Sequence, residues 1–337
     1  MEKKYNLIFI TIVTLAISFV ISMNVLWDIY RIFGISHFNN TNVSANFRYL
    51  KVKFLNAHPD DYDAFIVGSS RTNFYAAKLA SQLSGLHYYS FSAAAEKLDL
   101  ILNELVWLKK RNIKIKQVIL GLDYDFMFLV DDFPKNAIEA KEHPLVSGES
   151  WFSFYPPFAL NFDFNNWRKA FRDVILRHKP ASYQFDQTTG HWYYVDRDQA
   201  IVKDHAKYFK ERFKMEIPYV RGKLDRVAVN LERLKRLMNF IDQEKIPRIV
   251  IINPYSQYAF KSFTKEEYSY WLKSVVNICG QVWDFSGLNA ITTNDWLYYD
   301  TSHFLPKVGD MILKKVFSVP DPAAPKDFGV LLNADRQ

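Results

Sequence analysis

The run Phe65-Ile66-Val67-Gly68-Ser69-Ser70-Arg71-Thr72 decides how the rest of the chain is read. Ala64 to Val67 is short, wholly apolar and bounded by polar residues, the pattern of a strand covered on both faces in a parallel sheet. Gly68 then permits a sharp turn of the backbone. Open α/β sheets bind ligands in the crevice outside the carboxyl ends of their strands, so Ser70 stands where a hydroxyl and an amide can meet substrate. A plainer reading is also open, that Ser69 and Ser70 cap a helix starting near Asn73.

Far along the chain lies Tyr299-Asp300-Thr301-Ser302-His303-Phe304. An acid three residues before a histidine can hold the imidazole by one ring nitrogen while the other faces a serine hydroxyl, the arrangement that activates serine for acyl transfer. One short loop would then supply both partners of Ser70. A Gly-x-Ser after an early strand and a late Asp-x-x-His together resemble the SGNH (GDSL-like) hydrolase superfamily. The likeness is nearest to its membrane-anchored branch, which includes D-alanyl transfer and alginate acetylation proteins. It covers roughly residues 61–125 and 220–318. Gly68-Ser69-Ser70 stands where that family has Gly-Asp-Ser. The resemblance implies Ser70 as nucleophile, Asp300 as acid and His303 as base, with Ser69 pointing elsewhere and its loss mild.

Working outward from Ser70, Asn73 to Leu83 has helical spacing and Gly85 is a stop signal. Tyr88-Tyr89-Ser90-Phe91 reads as a second strand. It leads to Ser92-Ala93-Ala94-Ala95, where the family expects a glycine that helps line the oxyanion hole; here a backbone amide between Ala93 and Ala95 is the substitute. Leu98, Ile101, Leu102, Leu105 and Leu108 share one helical face. The basic run Lys109 to Lys116 reads as a solvated helix end before the strand Val118–Leu122. Asp123 and Asp125 follow at the edge of the site, where the family expects an asparagine. Ionised acids repel an oxyanion, so Asp123 is expected to orient a loop or a substrate hydroxyl. Leu224 to Ile241 restores helical periodicity, Arg248–Ile252 is a strand, and Asn253 ends it on the same edge as Ser70. Ser70, Ala93, Ala94, Asn253, Asp123 and Arg71 form the expected oxyanion or substrate-binding group. Tyr268–Ile278 reads as a helix, Val282–Phe285 as a short last strand, and Pro306–Val316 as a closing helix.

The chain has 337 residues, 49% hydrophobic, enough for one large core or two small ones. A net charge of +7 favours anionic partners such as acidic glycans, anionic polymers or a phospholipid surface. The single cysteine, Cys279, excludes an intrachain disulfide framework and is expected to be buried. No Cys-x-x-Cys or closely spaced histidine pair suggests a metal, and no glycine-rich phosphate loop is present. Neither a cofactor nor a nucleic-acid partner is expected.

From Tyr5 to Trp27 no residue is charged, and the run is long enough to cross about 30 Å of hydrocarbon as a helix. It exceeds the usual apolar region of a cleaved signal peptide and offers no clear cleavage site, so an anchor is expected. Lys3 and Lys4 before the span place the N-terminus in the cytoplasm and the body outside, periplasmic or extracellular. Trp27, Tyr30 and Phe33 suit an interface, and Asn39 to Asn42 reads as a connector that also carries two sequon matches.

Residues 126–219 break the α/β rhythm. Trp151, Phe152, Phe154, Tyr155, Phe158, Phe162, Phe164, Trp167 and Phe171 crowd the first half, with Trp192, Tyr193 and Tyr194 later. A satellite core, a sugar-stacking cleft that sets acceptor choice, and a lid on the membrane are all compatible with them. The histidines there, His143, His178, His191 and His205, lack ligand spacing and read as surface or structural residues.

The expected architecture is α/β, a three-layer sandwich with a mainly parallel sheet (SGNH/flavodoxin-like) and one N-terminal transmembrane helix. Its expected divisions are an anchor (1–29), a connector (30–60), an α/β domain (61–318) with an insertion at 126–219, and a tail (319–337). The expected function is that of a membrane-anchored serine esterase or O-acyltransferase acting on a cell-envelope glycan or polymer. Its relatives imply a membrane-bound O-acyltransferase partner supplying the acyl group. The rival is a non-catalytic assembly or glycan-binding protein that keeps the fold.

Overall fold

The computed structural model describes residues 2–35, 45–125, 138–175, 183–212 and 224–334. The expected connector at Asn39–Asn42 and His178 lie outside the described residues. The first strands and helices run α1 (Glu2–Trp27), α2 (Phe47–Ala57), β1 (Ala64–Val67), α3 (Ala77–Ser84), β2 (Tyr88–Ser90), α4 (Leu98–Lys110) and β3 (Gln117–Leu122). Next come α5 (Pro144–Ser147), α6 (Trp151–Ala159), α7 (Phe164–Ile175), β4 (Gln184–Asp186), β5 (His191–Tyr193), α8 (Val195–Lys203) and α9 (His205–Arg212). The chain then continues through α10 (Leu224–Gln243), β6 (Arg248–Ile252), α11 (Gln257–Lys261), α12 (Lys265–Cys279), β7 (Gln281–Asp284), α13 (Pro306–Val316) and β8 (Val330–Asn333).

It divides into two compact units. One comprises Met1–Lys53, Asn136–Gln184 and Tyr193–Asp196, the other Phe54–Lys135, Phe185–Trp192 and Arg197–Gln337.

The second unit is built on a six-stranded sheet of order β2-β1-β3-β6-β7-β8, parallel throughout except for β8, which runs antiparallel to β7. The apolar run of β1 is fully buried, as a central parallel strand requires; burying Phe65, Ile66 and Val67 is worth about 1.5–3 kcal/mol each. The amphipathic helices pack as their periodicity demands: α10 against α4 and α12, and α13 against α3. Gly85 ends α3 in the left-handed conformation, φ 76°. Chain order reverses between β1 and β3, which opens a crevice at the carboxyl ends of those two strands.

Several segments differ from the sequence reading: the expected connector 30–60 contains α2. Residues 319–337 are not only a tail, because Val330–Asn333 pairs with β7 and the preceding Phe328 packs its ring 4.9 Å from Phe285. Within the expected insertion, the turn between β4 and β5 docks on the sheet: Ser90 donates its amide to Thr189 O at 2.9 Å, and Asn73 bonds the backbone of Trp192. A Cβ at Gly190 would lie 2.1 Å from Ser90 O, so only glycine allows this approach.

The first unit is organised by α1, long and apolar enough to cross a membrane. Its last turns pack on α7, where Val20, Met23 and Trp27 meet Trp167 and Ala170. The Asp28 carboxylate then accepts the amides of Ile32, Phe33, Gly34 and Ile35 at 2.7–3.2 Å, folding the chain back after the helix. Tyr30 and Phe33 pack on Phe158 and Tyr155 of α6.

Candidate active site

The site lies within the second unit, in the crevice between β1 and β3. Gly68 has φ 143°, and a Cβ there would meet Thr72 Oγ1 at 2.4 Å and Gly121 O at 2.7 Å. A Cβ at Gly121 would meet the same Thr72 hydroxyl at 2.1 Å. These two glycines let the turn fold tightly over the strand ends, which directs the Ser70 side chain to the crevice.

Ser70 Oγ lies 2.9 Å from His303 Nε2. The other ring nitrogen, Nδ1, lies 2.9 Å from Asp300 Oδ1 and 3.1 Å from Oδ2. A carboxylate only accepts, so Nδ1 carries the proton and Nε2 presents its lone pair to the serine hydroxyl. The Asp300 carboxylate also accepts the amides of Ser302 and His303 at 2.8 Å and the Arg197 guanidinium at 3.0 Å. Burial pushes the Asp300 carboxyl up, but the His303 hydrogen bond and charge and the two backbone amides outweigh it, holding the acid below its usual range.

The loop carrying Asp300 and His303 is tied down from several sides. Tyr298 bridges Phe304, and Tyr299 N donates to His303 O at 2.8 Å. Ser256 Oγ holds Thr301 O at 2.7 Å, and Tyr208 of α9 donates to Tyr299 O at 2.9 Å. The Tyr299 hydroxyl in turn bonds Asp198 of α8.

Arg71, 1% exposed, is the strongest tie. Its Nε donates to Ser302 O at 2.8 Å, Nη1 reaches Asp125 and Asp123 at 2.9 Å, and Nη2 reaches Asp125 at 2.8 Å and the Ser302 hydroxyl. The guanidinium also lies over the Tyr255 ring, 4.6 Å from its centroid. Every N–H of the fork is engaged, so Arg71 clamps the Ser69–Ser70 turn, the end of β3 and the His303 loop together. Burial pushes Asp123 up and Arg71 pulls it back; with Asp125 beside it the carboxyl stays above the usual range.

The expected oxyanion and substrate group divides in two. Arg71 and Asp123 are buried in the clamp, and so is Ser69, whose hydroxyl bonds Asp123 and accepts Arg71 N at 3.1 Å. Ser69 thus points away from His303, as expected, but its hydroxyl is engaged rather than idle. The Asn253 amide is likewise engaged, donating to Asp123 at 3.0 Å and accepting from Tyr75. Ala93 N donates to Gly68 O at 3.0 Å, which removes it as an oxyanion donor. Ala94 is exposed, beside Ala95. Among the described residues the amides of Ser70 and Ala95 have no acceptor in the chain. Ala95 adopts φ 49°, a left-handed conformation that alanine seldom takes and that glycine accommodates without strain.

His143 and His191 are structural. His143 is buried and stacked on Tyr49, and burial, with Lys53 nearby, pushes its pKa down to about 4. His191 accepts Ala77 N on Nε2 at 2.9 Å and, through Nδ1–H, donates to Asn73 O at 2.8 Å. Cys279 is buried, which pushes its thiol up to about 12. No group of three or more potential metal-ligating side chains occurs among the described residues.

Arg197, Tyr208 and the Arg71 clamp are the parts that sequence reasoning missed. The only local signal was Arg71 itself, next to Ser70 and flanked by no apolar residue. No protein-family model matches the chain, and comparison with curated proteins gives no match.

Proposed function

We propose that the protein is a membrane-anchored, extracytoplasmic serine esterase or O-acyltransferase with an SGNH-like, three-layer fold. The observation that carries the reading is the continuous hydrogen-bond chain Ser70–His303–Asp300, closed across 233 residues of sequence with both steps at 2.9 Å. His303 Nε2 takes the Ser70 proton as Oγ attacks the acyl carbonyl, and Asp300 stabilises the imidazolium. The developing oxyanion is met by the amides of Ser70 and Ala95. As the tetrahedral intermediate collapses, His303 gives its proton to the departing oxygen, leaving acyl-Ser70. Water as acceptor makes the chain an esterase; a glycan hydroxyl makes it a transferase. The parallel-strand order supports the fold assignment, since it matches the flavodoxin-like sequence with the site at the switch point.

Retention of α1 as an anchor is supported by its polar contacts. Asn24 Nδ2 donates to Ala159 O and Asn161 O, both at 2.9 Å, and Asn24 Oδ1 accepts Trp167 Nε1 at 2.8 Å. Cleavage after the span would orphan all three groups. Lys3 and Lys4 support an N-terminus inside, and the net charge of +7 favours an anionic envelope polymer as acceptor. As in its resembled relatives, a membrane-bound O-acyltransferase would supply the acyl group.

The test is labelling of the full chain with a fluorophosphonate, read by intact mass. Ser70 should be modified, and Ser70→Ala and His303→Ala should abolish labelling. A folded protein whose Ser70 stays inert refutes the assignment and favours the second reading, a non-catalytic assembly or glycan-binding protein. That reading draws support from Asn253 and Ala93, which are engaged inside the fold and leave the oxyanion to two backbone amides.

A further inference from the structure

The first unit presents apolar rings to solvent beside the very helix that the proposed function reads as a membrane anchor. Phe152 of α6 is 92% exposed, Phe162 69%, and Phe164 and Phe171 of α7 are 64% and 53% exposed. Isolated exposed apolar residues are ordinary, but Phe171 joins the apolar surface of α1 directly and Phe162 joins it through Trp167. Trp167 packs edge-on to Phe19 at 6.3 Å and to Phe162 at 5.2 Å, and Phe171 packs on Trp27 at 6.2 Å.

The position of these contacts along α1 sets their depth. Phe19 lies eight residues before Trp27, about 12 Å along the helix axis. A helix of 26 residues is about 39 Å long, against about 30 Å of hydrocarbon. A segment packed along the last 12 Å of such a span overlaps the boundary between acyl chains and headgroups. The composition of α7 suits that depth. It carries aromatic rings at Phe164, Trp167 and Phe171 and exposed cations at Arg168, Lys169 and Arg172, the pairing found in helices that lie in a membrane interface. The cations select an anionic phospholipid leaflet over a neutral partner surface.

We infer that α6 and α7 form a second, interfacial attachment, their exposed rings sunk into an anionic phospholipid leaflet around the exit of α1. This rests on α1 being an anchor. The rings named in the sequence as a sugar cleft then divide by role: Phe154, Phe158 and Trp167 are core, whereas Phe152, Phe162, Phe164 and Phe171 face lipid.

The full chain, with Cys279→Ser as background, is reconstituted in phosphatidylcholine–phosphatidylglycerol liposomes. Single cysteines at Phe152, Phe162, Phe164 or Phe171 carry a nitroxide spin label. Labels at Phe9 and at the exposed Tyr270 serve as references for α1 and for water. Collisions with oxygen should exceed those with a water-soluble nickel complex at all four test positions, as at Phe9, and the reverse should hold at Tyr270. The preference at the test positions should weaken when phosphatidylglycerol is omitted or when Arg168, Lys169 and Arg172 are changed to Gln. Labels at Phe162, Phe164 and Phe171 as water-accessible as Tyr270, with Phe9 embedded, overturn the inference and leave the anchor standing; a water-accessible Phe152 overturns the part assigned to α6, and a water-accessible Phe9 overturns the anchor itself. Tryptophan emission of the unlabelled protein, which carries the partly exposed Trp151 on α6, should also shift to the blue on reconstitution and shift less in the triple Gln variant, where Trp27 of α1 still enters the membrane; this measurement needs no cysteine substitution.

Discussion

Replacing Arg71 with Gln puts the most weight on the site's architecture. The change deletes a guanidinium that is 1% exposed and engaged through all its N–H groups, and it strands Asp123, itself 4% exposed, together with Asp125. Breaking a buried ion pair from one side costs about 3–5 kcal/mol, against a typical total stability of about 5–15 kcal/mol. Urea unfolding of the full chain in nanodiscs, followed by near-ultraviolet dichroism, should show a large fall in midpoint. The loss has a defined pH dependence. Asp123 already titrates above its ordinary value in the folded state, and without Arg71 it rises further. An acid with a raised folded pKa binds more protons folded than unfolded, so its cost is fully present above that pKa and shrinks as pH falls through it. The deficit should therefore be smaller near about pH 5 than near about pH 8. Adding Asp123→Asn and Asp125→Asn to Arg71→Gln should recover much of the loss, because no buried charge then lacks a partner. A deficit below about 1 kcal/mol, the range of a surface pair, or one that ignores pH, refutes the clamp.

Ser70→Ala and His303→Ala should each lower turnover of an activated acyl ester by at least about 10²–10⁴-fold, and the double variant should be no worse than either, since the residues act as one unit. Asp300→Asn should retain measurable turnover. Because the folded Asp300 sits below its ordinary 3.8, its stabilisation is present above that value and lost as pH falls below it, so the stability gap between wild type and Asp300→Asn should close in acid titrations. Ser69→Ala should cost about 1–3 kcal/mol in thermal or urea unfolding, since it removes a buried hydroxyl from Asp123. Reporter fusions after residue 60 should be active only outside the cytoplasm; a cytoplasmic reporter would remove both the topology and the envelope function.

Much of the sheet was legible because buried parallel strands are short apolar runs, and 64–67, 118–122 and 248–252 declare themselves that way. The amphipathic helices α4, α10 and α13 follow from spacing, and the Asp300 to His303 interval from the geometry by which a carboxylate holds an imidazole. What stayed hidden depends on partners distant in sequence. Strand β8 is four residues behind three prolines and is a strand only because β7 offers an edge. Asn253 and Asp123 stood at the right edge of the sheet, yet their side chains turn inward to each other, to Tyr75 and to Arg71, which strand position cannot reveal. The aromatic insertion was ambiguous for a related reason: a ring that meets core, sugar or lipid has the same letter.

The distance in sequence between Ser70 and its partner His303 has a consequence for how the protein is made. Synthesis at about 5–20 residues per second separates the emergence of Ser70 from that of His303, 233 residues later, by on the order of ten to fifty seconds. Throughout that interval the serine is an ordinary alcohol, without base or clamped loop. The Ser70–His303 contact can close only once about nine-tenths of the chain has been made, so this pair belongs to the last contacts that the growing chain can form.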